Sequence, residues 1–256
     1  MIKAAFFDVD GTLLSHKTKR VPESAVSALE ALKKRGIRCI VATGRQIGEM
    51  DRLPIGTVTF DGYITMNGQL TLDGNRKALY GMPLEGEVKD YALKLFREKE
   101  IPVILVEQDR LYVNRDCPKV TAVQTSISSR VPPEGEYEGA PLYQACVYIT
   151  EEERAVLEPV AGKCVVTRWH PGGVDIIAKG GGKRTAVERY CALHGWKPEE
   201  TIAFGDSEND LEMLRFAGIG VALGNAEPEV KEAADYVAAD IDEDGVAKAL
   251  RHFGLI

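Results

Sequence analysis

The chain has 256 residues, 45% of them hydrophobic and 28% charged, with a formal net charge of −7. These proportions suit one large globular domain or two modest ones and exclude a disordered or collagen-like chain. The acidic balance argues against a nucleic-acid or anionic-membrane surface. Five scattered cysteines (Cys39, Cys117, Cys146, Cys164, Cys191), with no CxxC spacing and no apolar run near the ~18 residues of a spanning helix, point to reduced thiols in the cytoplasm.

An apolar run from Ile2 to Phe7 stops at Asp8-Val9-Asp10-Gly11-Thr12, as a buried strand does where it enters a loop. Pro22-Glu23-Ser24 then starts a helix carrying Val26, Leu29 and Leu32, with Lys33, Lys34 and Arg35 in its last turn and Gly36 as its stop. Ile37 to Ala42 is a second buried strand, ending at Thr43-Gly44-Arg45. Strand, helix and strand at this spacing predict a parallel βαβ unit. The pattern returns near the C-terminus: a helix over Lys183–His194, a strand over Thr201–Phe204, then Gly205-Asp206-Ser207-Glu208-Asn209-Asp210, a helix, a strand over Ile219–Leu223 and a short last helix.

The middle reads differently. A hairpin-like stretch follows Asn67-Gly68 through Asp73-Gly74-Asn75 to Gly81. Helical spacing appears at Val88, Tyr91, Ala92, Leu95 and Phe96. Strands are predicted at Val103–Val106, Leu111–Val113, Leu142–Ile149, Cys164–Trp169 and Val174–Ala178, with a Pro/Gly/Glu-rich loop over Val131–Pro141 and a short helix after Ile149. Strand pairs interleaved with helices imply an α+β module inserted into an α/β, Rossmann-like parallel-sheet core with helices on both faces. The predicted division is 1–81 with 180–256 for the core and 82–179 for the cap.

Open parallel sheets bind ligands beyond the carboxyl ends of their strands. Asp8 and Asp10, Thr43 and Gly44, and Asp206, Asn209 and Asp210 all fall at such ends, and Lys183 starts the helix leading to the third cluster. Several carboxylates in one crevice would repel one another unless a hard divalent cation joined them, and oxygen donors favour Mg²⁺ over zinc or copper. A hydroxyl, a lysine and backbone N–H groups beside that ion can hold phosphate, with one aspartate attacking phosphorus and another handling the leaving oxygen's proton.

Phe7-Asp8-Val9-Asp10-Gly11-Thr12-Leu13 resembles the first motif of the haloacid dehalogenase superfamily of phosphohydrolases. Val41-Ala42-Thr43-Gly44-Arg45 is similar to its second motif, Lys183 to its third and Gly205-Asp206-Ser207-Glu208-Asn209-Asp210 to its fourth. The insert resembles the α/β (type IIB) cap of the Cof-like branch. That resemblance implies an Mg²⁺-dependent hydrolase of small phosphorylated metabolites, above all sugar phosphates, with a phosphomutase or a pyridoxal- or flavin-phosphate phosphatase as alternatives. It implies Asp8 as nucleophile and metal ligand, Asp10 as general acid and base with its main-chain carbonyl on the metal, and Asp206 as third ligand. Thr43, Gly44, Lys183 and Asn209 would hold phosphate, with Asp210 in support. Lys179 also precedes a glycine, but the spacing from Asp175-Ile176-Ile177 favours Lys183.

On the cap, Tyr143, Gln144, Trp169, His170 and Asp175 mix flat apolar faces with hydrogen-bonding groups, and Trp169 and His170 are candidate contacts to the leaving group, although Trp and Tyr on a sheet are usually core packing. Gly180-Gly181-Gly182-Lys183-Arg184 lacks the spacing and hydroxyl of a phosphate-binding P-loop. Asp240-Ile241-Asp242-Glu243-Asp244-Gly245 starts like a calcium loop, but Arg251 stands where its bidentate glutamate would, so the segment is read as a cap to the last helix.

Overall fold

A computed structural model describes residues 1–51, 54, 58–127 and 129–256. The chain runs through β1 (Ala4–Phe7), α1 (Glu23–Lys34), β2 (Arg38–Ala42), the short α2 (Ile47–Met50) and β3 (Gly62–Thr65), then turns back through β4 (Leu70–Asp73) and β5 (Ala78–Gly81). The insert holds α3 (Gly86–Glu98), β6 (Val103–Glu107), β7 (Leu111–Val113), α4 (Pro118–Ser126), β8 (Leu142–Val147), β9 (Cys164–His170) and β10 (Gly173–Ala178). The chain closes with α5 (Lys183–His194), β11 (Thr201–Gly205), α6 (Leu211–Phe216), β12 (Ile219–Ala222), α7 (Pro228–Ala233), β13 (Tyr236–Val237) and α8 (Gly245–His252).

Two sheets result. The first has the order β13-β12-β11-β1-β2-β3-β4-β5, parallel from β13 to β3 and antiparallel through the β4–β5 edge. Its central strand shows why both faces carry helices. Side chains alternate along a strand, so Ala5 and Phe7 join Leu29 and Leu32 of α1 and Leu250 of α8, while Ala4 and Phe6 join Val187 and Tyr190 of α5 and Leu214 of α6. Phe6 and Phe7 are both fully buried, each worth about 1.5–3 kcal/mol in removed apolar surface.

The second sheet, β7-β6-β8-β10-β9, is antiparallel throughout. Val103, Leu105, Ala145 and Ile176 turn one face onto Val88, Ala92 and Phe96 of α3, while Ile104, Val106, Cys146 and Asp175 line a cavity above the first sheet. An α/β core with an inserted α+β cap is therefore the architecture, as the sequence pattern predicts.

Some elements escaped that pattern. α4 opens with proline at its first turn, but Thr121, Gln124, Thr125 and Ser126 dilute its apolar spacing to Val120 and Val123. β3 is only four residues and starts at a glycine, and β13 is only two. The calcium-loop lookalike is a turn: the Asp240 carboxylate accepts from the Asp242 N–H at 2.9 Å ahead of α8.

Gly62 is required by contact. A Cβ there would lie 2.3 Å from the hydroxyl of Tyr190, whose ring is buried against Phe6. Gly62→Ala is expected to lower the melting temperature by about 3–10 °C through overpacking, read by calorimetry. An unchanged melting temperature would show that the ring retreats freely.

Candidate active site

β11, β1 and β2 are neighbours in the first sheet, and each ends at a candidate residue: Asp206 follows β11, Asp8 follows β1, and Thr43 follows β2. Parallel pairing, with Phe7 opposite both Phe204 and Val41, puts these ends level. Lys183, the first residue of α5, enters from the side. Its ammonium donates to Asp8 Oδ1 at 2.5 Å and to Asp210 Oδ1 at 2.7 Å, with no solvent exposure of its side chain. Burial by itself would lower the lysine's pKa, but Asp210 and Asp8 outweigh it and hold the group above its ordinary value.

Carboxylate oxygens of Asp8, Asp206 and Asp210 all lie within 4.8 Å of one another. Burial pushes the Asp8 carboxyl well above the usual range, Lys183 opposes the shift, and the neighbouring carboxylates reinforce it. Burial also pushes Asp206 up to about 7, with Asp210 adding to it and Thr12 opposing it through a 2.7 Å hydrogen bond. Fully ionised, the three carboxylates would exceed the one ammonium by two negative charges, all on oxygen donors. That donor set fits a hard divalent cation.

The loops are shaped to this convergence. Gly11 has φ of +84°, and a Cβ there would fall 2.2 Å from Asp206 Oδ2. Asp210 has a different task from Asp206. Its Oδ1 holds Lys183, and its Oδ2 accepts from the N–H groups of Asp206 and Ser207 at 3.0 and 3.1 Å, so its oxygens fix the lysine and the loop.

Thr43 is buried, and its Oγ1 accepts from the Arg45 N–H at 3.1 Å. Gly44 lies against the Asn67 amide, 3.2 Å from where a Cβ would stand. Asp10 is held by Arg45, which sequence reasoning quoted in its motif without giving it a task. The guanidinium forks onto both carboxylate oxygens at 2.6 and 2.7 Å and reaches Ser129 Oγ of the cap at 3.0 Å. Asn67, to which the sequence pattern gave no task beyond preceding a hairpin-like stretch, joins core to cap: its Nδ2 donates to Asp175 Oδ2 at 2.8 Å and its Oδ1 accepts from Asn209 Nδ2 at 2.9 Å. Nothing local marks either pairing, since each spans a large sequence separation.

Above these residues lies a cavity of about 820 Å³, bounded by Asp8, Asp10, Thr43 and Asn209 below and by Asp175 and Trp169 above. Trp169 stands edge-on to Tyr148. His170 accepts the Gly172 N–H on Nδ1 at 3.0 Å and meets Ser126 Oγ through Nε2 at 3.1 Å, so both ring nitrogens are engaged and its neutral form is favoured.

A sequence model of haloacid dehalogenase-like hydrolases matches residues 5–250, and the chain belongs to that family. A Bacillus subtilis protein, YkrA, itself only provisionally assigned as a phosphatase, is 32% identical over 99% of this chain and 98% of its own length. The HMP-PP phosphatase of Yersinia pseudotuberculosis is 27% identical over 99% of this chain and 96% of its own. Among solved structures, the subclass IIB sugar phosphatase BT4131 matches with a TM-score of 0.86 and 38% identity, covering 99% of this chain and all of the other. The chain is a phosphatase of the Cof-like branch with a type IIB cap. Among the described residues, no helix is long and apolar enough to cross a membrane.

Burial pushes Asp175 up to about 7, although Cys146, Trp169 and Asn67 oppose the shift. A carboxyl whose folded pKa is raised contributes stability below its unfolded value near 4, and that contribution is lost as pH rises through about 7. Asp175→Asn, which stays neutral, is therefore expected to gain melting temperature relative to the parent between about pH 5 and pH 8, by a few degrees at the upper end. A constant difference across that window in parallel thermal melts would refute the assignment.

Proposed function

We propose that this protein is an Mg²⁺-dependent phosphomonoester hydrolase working through an aspartyl-phosphate on Asp8, with small phosphorylated metabolites, chiefly sugar phosphates, as substrates. The observation that carries this reading is the buried Lys183 ammonium shared between Asp8 and Asp210 beside Asp206. A buried cation at Asp8, the carboxylate that follows β1, supports its reading as the group on which charge changes. The named specificity of BT4131 for sugar phosphates supports the substrate class. The working division is residues 1–81 and 180–256 for chemistry and 82–179 for the cap, and the five free thiols support a cytoplasmic location.

In the first step an Asp8 oxygen bonds to phosphorus, the ester P–O bond breaks, and Asp10 gives its proton to the departing alcohol. In the second step water attacks phosphorus, Asp10 takes its proton, and the bond between phosphorus and Asp8 breaks. The Thr43 hydroxyl and the Gly44 N–H would hold phosphoryl oxygens, with Asn209 at the rim. Lys183 would offset the charge shared by Asp8 and phosphate. Asp10, forked by Arg45, is oriented as a carboxylate, the form that the second step needs; the first step requires that fork to open. Asp8, Asp206 and the Asp10 main-chain carbonyl would hold Mg²⁺, with Asp210 in support through Lys183. When bound, that ion supplies charge neutralisation and polarisation of the phosphoryl group. Trp169 and His170 would border the leaving group.

Asp8→Asn is expected to lower turnover of p-nitrophenyl phosphate and of hexose phosphates by about a thousandfold or more. Comparable turnover by that variant would remove Asp8 as nucleophile. EDTA is expected to abolish parent activity and Mg²⁺ to restore it, with inorganic phosphate as the product. Accumulation of an isomeric sugar phosphate instead would identify a phosphomutase.

A further inference from the structure

Among the described residues, three buried polar atoms with no hydrogen-bond partner within 3.5 Å belong to residues lining the catalytic cavity: Asp175 Oδ1, Asn209 Oδ1 and Trp169 Nε1; the indole nonetheless lies near enough to the Asp175 carboxyl to oppose its pKa rise. A buried polar group left without a partner is costly, so such atoms mark where a ligand completes the structure. The polarity of the first two is set by one chain of bonds. Asp175 Oδ2 can only accept from Asn67 when ionised, which fixes the Asn67 amide with nitrogen toward the cap and oxygen toward Asn209. Asn209 must then donate through Nδ2, and its oxygen is left over. Asn67 cannot easily turn to change this. It is buried, its backbone is left-handed at φ 54° and ψ 37°, and its N–H is bonded to the Thr43 carbonyl at 3.0 Å.

The cavity's cations are already committed. Arg45 is spent on Asp10 and Ser129. Arg168 is spent on Glu151 and on the carbonyls of Ile149, His170 and Pro171. His170 has both ring nitrogens engaged, which leaves the exposed His16 at the mouth. With Asp175 ionised, an incoming alcohol therefore meets two acceptors in need of donors and no buried cation ready for an anion.

We propose that this cavity selects the leaving group by charge and hydrogen-bond polarity. It accepts a neutral polyol or an ammonium-bearing alcohol and rejects one carrying a second anionic group, and Asp175 is the residue that sets the preference. The proposal rests on the phosphomonoester hydrolase reading and narrows it. A carboxylate or second phosphate offers only acceptors to Asp175 Oδ1 and Asn209 Oδ1, whereas a hydroxyl can donate to either and accept from Trp169.

The test compares kcat/KM for glucose 6-phosphate, glucosamine 6-phosphate and 6-phosphogluconate, and in parallel for 4-(aminomethyl)phenyl phosphate and 4-carboxyphenyl phosphate. In each series the ammonium ester, and in the sugar series the neutral ester too, is expected to exceed the carboxylate ester by about tenfold or more. In Asp175→Asn the ammonium-to-carboxylate ratio is expected to fall about tenfold, and a ratio within one protein does not depend on how much of it is folded. Carboxylate esters hydrolysed as well as the others, or a ratio unmoved by Asp175→Asn, would overturn the proposal while leaving the hydrolase reading intact. The ranking kept among aryl esters, with no sugar phosphate turned over, would support charge selection and remove the sugar-phosphate reading.

Discussion

The contact on which the site depends is the ammonium of Lys183 between Asp8 and Asp210. Burying three carboxylates within a few ångströms of one another is unfavourable in a low-dielectric interior, and removing the one cation among them would leave charge that the protein could not solvate. The glycine at position 11 and the N–H groups offered to Asp210 make sense as parts of the same arrangement. They bring the strand ends close enough for one lysine to serve two acids, while Asp8 and Asp206 remain positioned to share an additional cation.

Core and cap divide the work along chemical lines. The core supplies charge at the carboxyl ends of β11, β1 and β2, and these groups are held by the parallel sheet itself. The cap supplies a sheet face that is mostly apolar, with Asp175 and Gln144 among Ile104, Val106 and Cys146. Two side chains bridge the parts. Arg45 ties the Asp10 carboxylate to Ser129, and Asn67 ties Asp175 to Asn209. The cap residues proposed to choose the leaving alcohol are thus in hydrogen-bond contact with the core residues proposed to act on the phosphoryl end.

Asp210 and Asn209 illustrate how neighbours in one motif acquire separate duties. Asp210 faces inward with no exposure and orients Lys183, while Asn209 faces the cavity and Asn67. His170 and Trp169, adjacent on β9, differ in the same way: the histidine's ring nitrogens are engaged, and the indole N–H is not.

The sequence by itself determined the architecture and the positions of the core acids. Apolar runs ending at Asp8, Thr43 and Asp206, and the helix opening at Lys183, are local patterns, and period-two and period-3.6 burial is imposed residue by residue along the chain. The α4 helix and β3 lacked that periodicity and were legible only once packed. The pairings of Arg45 with Asp10 and of Asn67 with Asp175 and Asn209 were decided by tertiary structure alone. A fork or an amide bridge depends on where folding brings distant residues together, and the residues carry no mark of it in their own neighbourhoods. For the same reason the sequence named Trp169 and His170 as a pair, and only the folded cap separated the unpartnered indole from the engaged imidazole.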